Sequence, residues 1–229
     1  DWNDESMRSR MFIASARDPR FARTLIYNGA TFKGQPVQSY VGGRNGRPLD
    51  GATPTSYYLR KHIVEATSFV TGSEMSYQHI FPFFRYAEVL LNYAEALAAA
   101  TQNPDFTGMK GEVEYTLSPR EALNAVRARY NMPGITETDY AAFVKRLRNE
   151  RRVELAFEGH RFWDIRRWKI GAETTKVYGL TITPQNDGSF SYMRSVIQQR
   201  GWEDRMNFYP IADAELFKNH NLVQNDGWK

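Results

Sequence analysis

Asn149-Glu150-Arg151-Arg152-Val153-Glu154-Leu155-Ala156-Phe157-Glu158-Gly159-His160-Arg161-Phe162-Trp163-Asp164-Ile165-Arg166-Arg167-Trp168 is the stretch on which the reading of this chain turns. Upstream of it, Tyr140, Phe143 and Leu147 recur at helical spacing and define an apolar stripe. The same spacing then brings Glu150 and Glu154 onto that stripe before Phe157 restores it. This predicts a helix from Thr136 or Thr138 to Gly159, a residue suited to a left-handed terminator. Two acids on a core-facing stripe need cationic partners, because an unpaired buried carboxylate costs several kcal/mol or takes up a proton. A second, shorter helix from His160 to Trp168 places Arg161, Arg166 and Arg167 within reach. The expectation is an inter-helix ion-pair lattice drawn from Arg85, Glu88, Glu150, Arg151, Arg152, Glu154, Glu158, Arg161 and Asp164.

Working outward, Phe83 to Ala100 is apolar or alanine except at Arg85, Glu88, Asn92 and Glu95. That pattern predicts a helix buried on most sides with one narrow polar stripe, stopped at Asn103-Pro104. Ser118-Pro119-Arg120-Glu121 combines a capping box with proline at the first helical position, and Asn131-Met132-Pro133-Gly134 ends the helix it starts. These four helices read as two antiparallel pairs, a unit typical of helical repeats. The flanks differ. Leu25-Ile26-Tyr27 and Ala30-Thr31-Phe32 around Asn28-Gly29 read as a small β-hairpin. Residues 34–56 form a long glycine- and proline-rich loop, residues 57–64 a strand, and residues 171–207 a second irregular stretch.

The chain has 229 residues, enough for one large domain or two small ones. Its 32 aromatic residues, Phe 14, Tyr 13 and Trp 5, argue for a packed fold. No run approaches the roughly 18 apolar residues of a membrane helix. Cysteine is absent, which removes disulfides, thiolate nucleophiles and cysteine-based metal sites. The net charge of +4 is local: residues 145–169 hold nine of the 30 Lys+Arg and four of the 26 Asp+Glu. A nucleic-acid surface is not expected there, since every turn of the basic stretch also carries a competing carboxylate.

Catalytic and cofactor patterns fail in turn. Gly42-Gly43-Arg44-Asn45-Gly46 lacks both the dinucleotide spacing and a Lys-Ser/Thr pair. His62, His79, His160 and His220 are scattered without metal-ligand spacing, and His160 with Asp164 gives two ligands where a site needs three or four. No EF-hand loop occurs, so neither metal nor cofactor is expected. Glu150, Glu154 and Glu158 lack the facing Glu-x-x-His of a di-iron bundle. Interleaved arginines keep these acids ionised, as ion-pair partners and not as the proton donor of a glycosidase.

Phe83-Phe84-Arg85-Tyr86-Ala87-Glu88-Val89-Leu90-Leu91-Asn92-Tyr93-Ala94-Glu95-Ala96, Ala122 to Arg129 and the stretch 149–168 in combination resemble the SusD/RagB family of outer-membrane nutrient-binding lipoproteins. The end of the chain agrees: Phe208-Tyr209-Pro210-Ile211 through Gln224-Asn225-Asp226-Gly227-Trp228, with Ala212 and Asp226 where proline is frequent and Trp228 where tyrosine is. Asp18-Pro19-Arg20-Phe21 and residues 57–61 fit as well. The resemblance implies a mainly α fold of tetratricopeptide-like antiparallel helix pairs, decorated with long irregular loops and a small β-hairpin. Its helix-pair core would span 82–169, with loop-rich ligand-side segments at 1–81 and 170–207 and a C-terminal signature at 208–229. It further implies a surface-exposed, lipid-anchored outer-membrane protein that captures glycans, or in some members peptides, without catalysis. Such a protein delivers its ligand to a SusC-like TonB-dependent transporter. The chain would be the C-terminal portion, with the anchor on an absent N-terminal part.

The motif regions are scaffold in that family, so binding residues are sought in the loops. Sugar rings present apolar C–H faces and a rim of hydroxyls, which calls for flat aromatics beside planar polar groups. The candidates are Trp2 near Asn3 and Asp4, Tyr40 near Arg44 and Asn45, Tyr57, and Trp202 near Asp204 and Arg205. For each aromatic the competing expectation is a hydrophobic plug that seals a loop onto the helices.

Overall fold

The computed structural model describes residues 16–78 and 80–228, which form two compact units. The first holds the described residues of 1–26, 30–35 and 59–157, and the second residues 27–29, 36–58 and 158–228.

In the first unit, α1 is Arg20–Thr24, α2 Tyr86–Thr101, α3 Pro119–Ala128 and α4 Tyr140–Glu154. The two-residue strands β1 (Leu25–Ile26) and β2 (Thr31–Phe32) lie in different two-stranded sheets, so the expected hairpin around Asn28-Gly29 does not form. The tight turn sits five residues later. Lys33 (φ 50°) and Gly34 (φ 73°) join β2 to β3, Gln35–Pro36, in the left-handed geometry that two-residue hairpins use. The expected strand at 57–64 is reduced to β4, Tyr58–Leu59. Strands β5 (Gly108–Lys110) and β6 (Val113–Tyr115) make a short hairpin between α2 and α3.

Helix α2 packs on α3 and α4. Ala87, Leu90, Leu91, Ala94 and Ala98 from α2 meet Ala122, Leu123 and Val126 from α3 and Phe143 and Leu147 from α4. Ala94 and Ala98 are fully buried, and side chains that small let neighbouring helices approach closely. The start of α3 is capped as its sequence requires: Ser118 Oγ accepts from the Glu121 N–H, and the Ser118 N–H donates to Glu121 Oε2 at 2.8 Å. Helix α4 is capped by Asp139, whose carboxylate accepts from the Ala142 N–H at 2.8 Å. It ends at Glu154, earlier than its apolar spacing predicts. Phe157, expected to restore the stripe, adopts φ 62° and is exposed. Helix α2 also differs from expectation. Tyr86 is 72% and Val89 53% exposed, so one face is open, and the polar stripe is the side turned toward charge.

That charge is a buried cluster. Arg20 donates through Nη1 to Glu150 at 2.5 Å and Glu154 at 2.9 Å, and through Nη2 and Nε to Asp18 at 2.6 and 2.9 Å. Arg127 reaches Glu150 at 2.6 Å, and Arg85 reaches Glu154 at 2.9 Å. Three guanidinium groups thus balance three carboxylates. Lys61 Nζ and Arg85 Nη2, each at 3.1 Å, also satisfy the Glu154 carbonyl. Arg151 donates to Asn92 Oδ1 at 2.5 Å. Burial alone would raise the Asp18 carboxyl, but its bonds to Arg20 outweigh that and hold it below the ordinary carboxylate value. For Arg20, burial opposes the charge, and the bonds to Asp18, Glu150 and Glu154 raise its pKa far above the usual range.

In the second unit, α5 is His160–Arg167, entered through Gly159 at φ 82°. Buried Asp164 pairs with Arg167 at 2.9 Å. Residues 171–207, expected to be irregular, contain the longest strands among the described residues. Strand β7 (Lys176–Pro184) pairs antiparallel with β8 (Phe190–Gln199), with a bulge between Val177 and Tyr178. The loop 36–58 is bound to β7 by its main chain: Val41 N donates to Ile182 O at 2.8 Å, and Ser56 Oγ donates to Leu180 O at 2.7 Å. The six-residue α6, Asp213–Lys218, follows. Gln224 clasps the Ile211 peptide, accepting from its N–H at 2.7 Å and donating to its carbonyl at 2.8 Å. No helix among the described residues is long and apolar enough to cross a membrane.

Two measurements test this account. Arg20→Met should destabilise the fold by roughly 3–5 kcal/mol in urea unfolding, because it strips one partner from each of two buried carboxylates. The Asp18 carboxyl has a folded-state pKa below its unfolded value. Its stabilisation is therefore complete above the ordinary carboxylate range and fades as pH falls through the folded-state pKa. The stability gap between wild type and Asp18→Asn should be open at pH 7 and close toward pH 2.

Candidate functional site

Tyr40, Arg44, Asn45 and Tyr57 all lie in the loop 36–58 of the second unit. The Tyr40 ring lies 5.2 Å from that of Phe190 on β8, inclined by 36°, and stays half-buried. Its turn is closed by a main-chain approach that leaves no room for a side chain. A Cβ on Gly46 would stand 1.9 Å from the Tyr40 carbonyl oxygen. Arg44 is exposed and its guanidinium donates to the Pro36 carbonyl. Asn45 is committed to its own loop: its Oδ1 accepts from the Gln38 N–H at 3.1 Å, and its carbonyl accepts from the Tyr58 hydroxyl at 2.5 Å. Tyr57 is half-buried at the end of the loop. Burial, and then the proximity of Tyr57, raises the pKa of Tyr192. Trp2 lies outside the described residues.

Trp202 stands against the short helical turn Gly171–Thr174. A Cβ on Gly171 would fall 1.8 Å from its ring. Above it lies the Arg166 guanidinium, 5.2 Å from the Trp202 centroid, 3.5 Å from Phe162 and 5.7 Å from Tyr209. Phe162 and Tyr209 stack at 6.0 Å. One cation shared among three rings is a packing device that also leaves ring surface in water: Trp163, beside Phe162, is 61% exposed.

The lattice candidates divide. Glu150, Glu154 and Arg85 join the buried cluster, whereas Arg152 is exposed. Glu88 and Glu158 are buried. Arg161 lies 6.0 Å from the Trp168 ring, and Asp164 holds Arg167. Sequence reasoning missed Arg20 and Arg127, the two arginines that share Glu150. The signal available was the surplus of acids on an apolar stripe.

Asp204 borders an open cavity of about 690 Å³ within the second unit, lined also by Lys169, Arg205, Asn207, Phe208 and the segment Val223–Asp226. Its walls are fixed. Trp228 Nε1 donates to the carbonyls of Arg205 at 3.0 Å and Phe208 at 3.1 Å, and Asn225 Nδ2 donates to Tyr209 O at 2.5 Å. The Arg205 guanidinium is held by Glu203 at 2.9 Å and by Gly227 O at 3.1 Å, and covers the Trp228 ring at 4.9 Å. Asn207 Nδ2 donates to Asp204 O at 2.8 Å, while its buried Oδ1 has no hydrogen-bond partner among the described residues. Lys169, Asn207, Phe208 and Asp226 were not anticipated as site residues, because the C-terminal segment reads as scaffold. Among the described residues no three His, Asp or Glu side chains are grouped to hold a metal.

A sequence model of the SusD family matches residues 6–228. The chain belongs to the SusD family. SusD-like protein P2 from Formosa agariphila is 33% identical over 146 residues, which is 62% of this chain and 24% of that protein. The crystal structure of a SusD-like protein from Bacteroides fragilis superposes with a TM-score of 0.75 at 29% identity, over 94% of this chain and 40% of that one. A second B. fragilis structure, described as a SusD-like carbohydrate binding protein, gives 0.65 at 28% identity, over 97% and 44%. This SusD-family chain thus spans less than half the length of those relatives.

The Gly171 contact yields a direct test. Gly171→Ala should force Trp202 off its seat, costing about 1–3 kcal/mol in chemical denaturation and shifting tryptophan emission to the red.

Proposed function

We propose that this chain is part of a non-catalytic glycan-binding protein that takes up oligosaccharide for import. Membership of the SusD family carries the reading. It is supported by the description of a structural relative as carbohydrate binding. The loop 36–58 carries Tyr40, Arg44, Asn45 and Tyr57, and Trp202 lies two residues from Asp204, aromatics near polar residues in sequence of the kind sugar recognition uses. Catalysis is not part of the proposal. Glu150 and Glu154 are locked to arginines in a buried cluster, out of a substrate's reach. The basic stretch 145–169 likewise spends charge on its own fold, which disfavours a nucleic-acid partner.

In the whole protein, surface display at the outer membrane through a lipid anchor and transfer to a SusC-like TonB-dependent transporter complete the proposal. The packed helices α2, α3 and α4 would form part of a tetratricopeptide-like array. A second reading, as a protein- or peptide-binding module, draws on the exposed apolar run that includes Phe69, Phe83, Phe84 and Tyr86, exposed by 91, 83, 84 and 72%.

Affinity electrophoresis through gels containing neutral polysaccharides tests the first reading. Retardation by at least one of them is expected, without release of reducing sugar. Tyr40→Ala combined with Arg44→Ala should weaken that binding about tenfold. Absence of retardation by any polysaccharide, together with retention of a peptide library, would favour the second.

A further inference from the structure

The cavity beside Asp204 has a composition that goes further than a general affinity for sugar. Three of its polar residues are already committed: Arg205 to Glu203 and Gly227, Gln224 to Ile211, and Asn225 to Tyr209. The lining groups outside those contacts are the Asp204 and Asp226 carboxylates and the Lys169 ammonium. Acceptors outnumber donors, and carboxylates outnumber the uncommitted cation by two to one. Such a wall satisfies a ligand rich in O–H donors, because each ionised carboxylate accepts from two neighbouring hydroxyls. It repels a ligand that brings a carboxylate or sulfate of its own. Phe208, 64% exposed, supplies the apolar surface on which a ring's C–H face can rest. A volume of about 690 Å³ lies inside the span of about 300–1,000 Å³ typical of small-ligand sites. The Trp228 and Gln224 hydrogen bonds set these walls before any ligand arrives.

We propose that this cavity is a saccharide subsite selective for neutral sugar residues over uronic or sulfated ones. Asp204 and Asp226 accept the hydroxyls, and Phe208 supports the ring. The inference rests on the glycan-binding reading and adds to it a location and a charge class.

Isothermal titration calorimetry of the chain with maltohexaose, cellohexaose, xylohexaose and mannohexaose, against trigalacturonate and a chondroitin sulfate hexamer, provides the test. At least one neutral probe should bind, with a change in emission from Trp228, which is hydrogen-bonded to the lining residues Arg205 and Phe208, and neither acidic probe should match it. Asp204→Asn and Asp226→Asn should each weaken the neutral probe about tenfold, the worth of one charge-assisted hydrogen bond. Asp226→Lys should lose the neutral probe and gain trigalacturonate. Thermal melts by circular dichroism show that each variant is folded. Neutral binding untouched by both aspartate variants and by Phe208→Ala would overturn the subsite and leave the glycan reading standing. A wild-type preference for trigalacturonate would overturn the charge class. Failure to bind any of the six probes would remove the glycan reading itself, and the subsite with it.

Discussion

Arg20 binds Asp18, Glu150 and Glu154 at once, in a position where all four side chains are three-quarters buried or more. The first unit depends on that requirement. A carboxylate taken out of water must find a cation at short range, and the geometry has to be good for the desolvation to be offset. Arg20 comes from α1, Arg85 from the residue before α2, Arg127 from α3, and the two glutamates from successive turns of α4. Four segments far apart in sequence are thereby held in one relative arrangement by directional bonds.

Apolar packing alone would not impose such registry. The contacts among Leu91, Leu123, Val126, Phe143 and Leu147 are non-directional, and alanine-rich faces such as Ala94 and Ala98 allow one helix to slide along another at little cost. Moving α4 by one turn would replace Glu154 by Glu150 opposite Arg85 and leave an acid in the core without a partner. The ion cluster is thus better understood as a lock on helix register than as a source of net stability. Similar volumes of hydrocarbon often do as well energetically.

What could be read in advance depended on the range of the interaction. The cap at Ser118 and the helices it separates are written in adjacent residues, and so is the conflict between Glu150 and the apolar stripe of α4. Arg20, which resolves that conflict, lies 130 positions away, with no local mark to single it out. The β7–β8 hairpin was hidden for another reason. Gly179 and the bulge at Val177/Tyr178 interrupt its alternation, and Tyr178, Met193 and Val196 are exposed, so neither strand shows a clean buried face. At the small hairpin, Asn28-Gly29 does form a turn, with Gly29 at φ 83°, but the strands beside it do not pair, and the hairpin closes at Lys33-Gly34. Asn28 Oδ1 is engaged instead by the Ser39 N–H at 3.1 Å. Of the candidate binding residues, Asp204 borders the cavity. Its partners there come from a C-terminal segment whose motif character concealed their exposure.

The second unit is held by different means, and the difference bears on what its surface can do. Among its described residues, Val37 and Ile182 are the buried apolar side chains; the rest of its order comes from main-chain bonds between loop and hairpin and from arginines laid on rings. Arg166 rests on Phe162, Trp202 and Tyr209, Arg194 covers Tyr178 at 3.4 Å, and Arg205 covers Trp228. Such a scheme fixes polar groups and aromatic rings at the surface without burying them. A weakly binding, hydroxyl-rich ligand gains most from that arrangement, because groups already held in place lose little freedom when it docks. The same economy limits the affinity, since open rings and solvated carboxylates exchange one set of hydrogen bonds for another, and only the net difference remains.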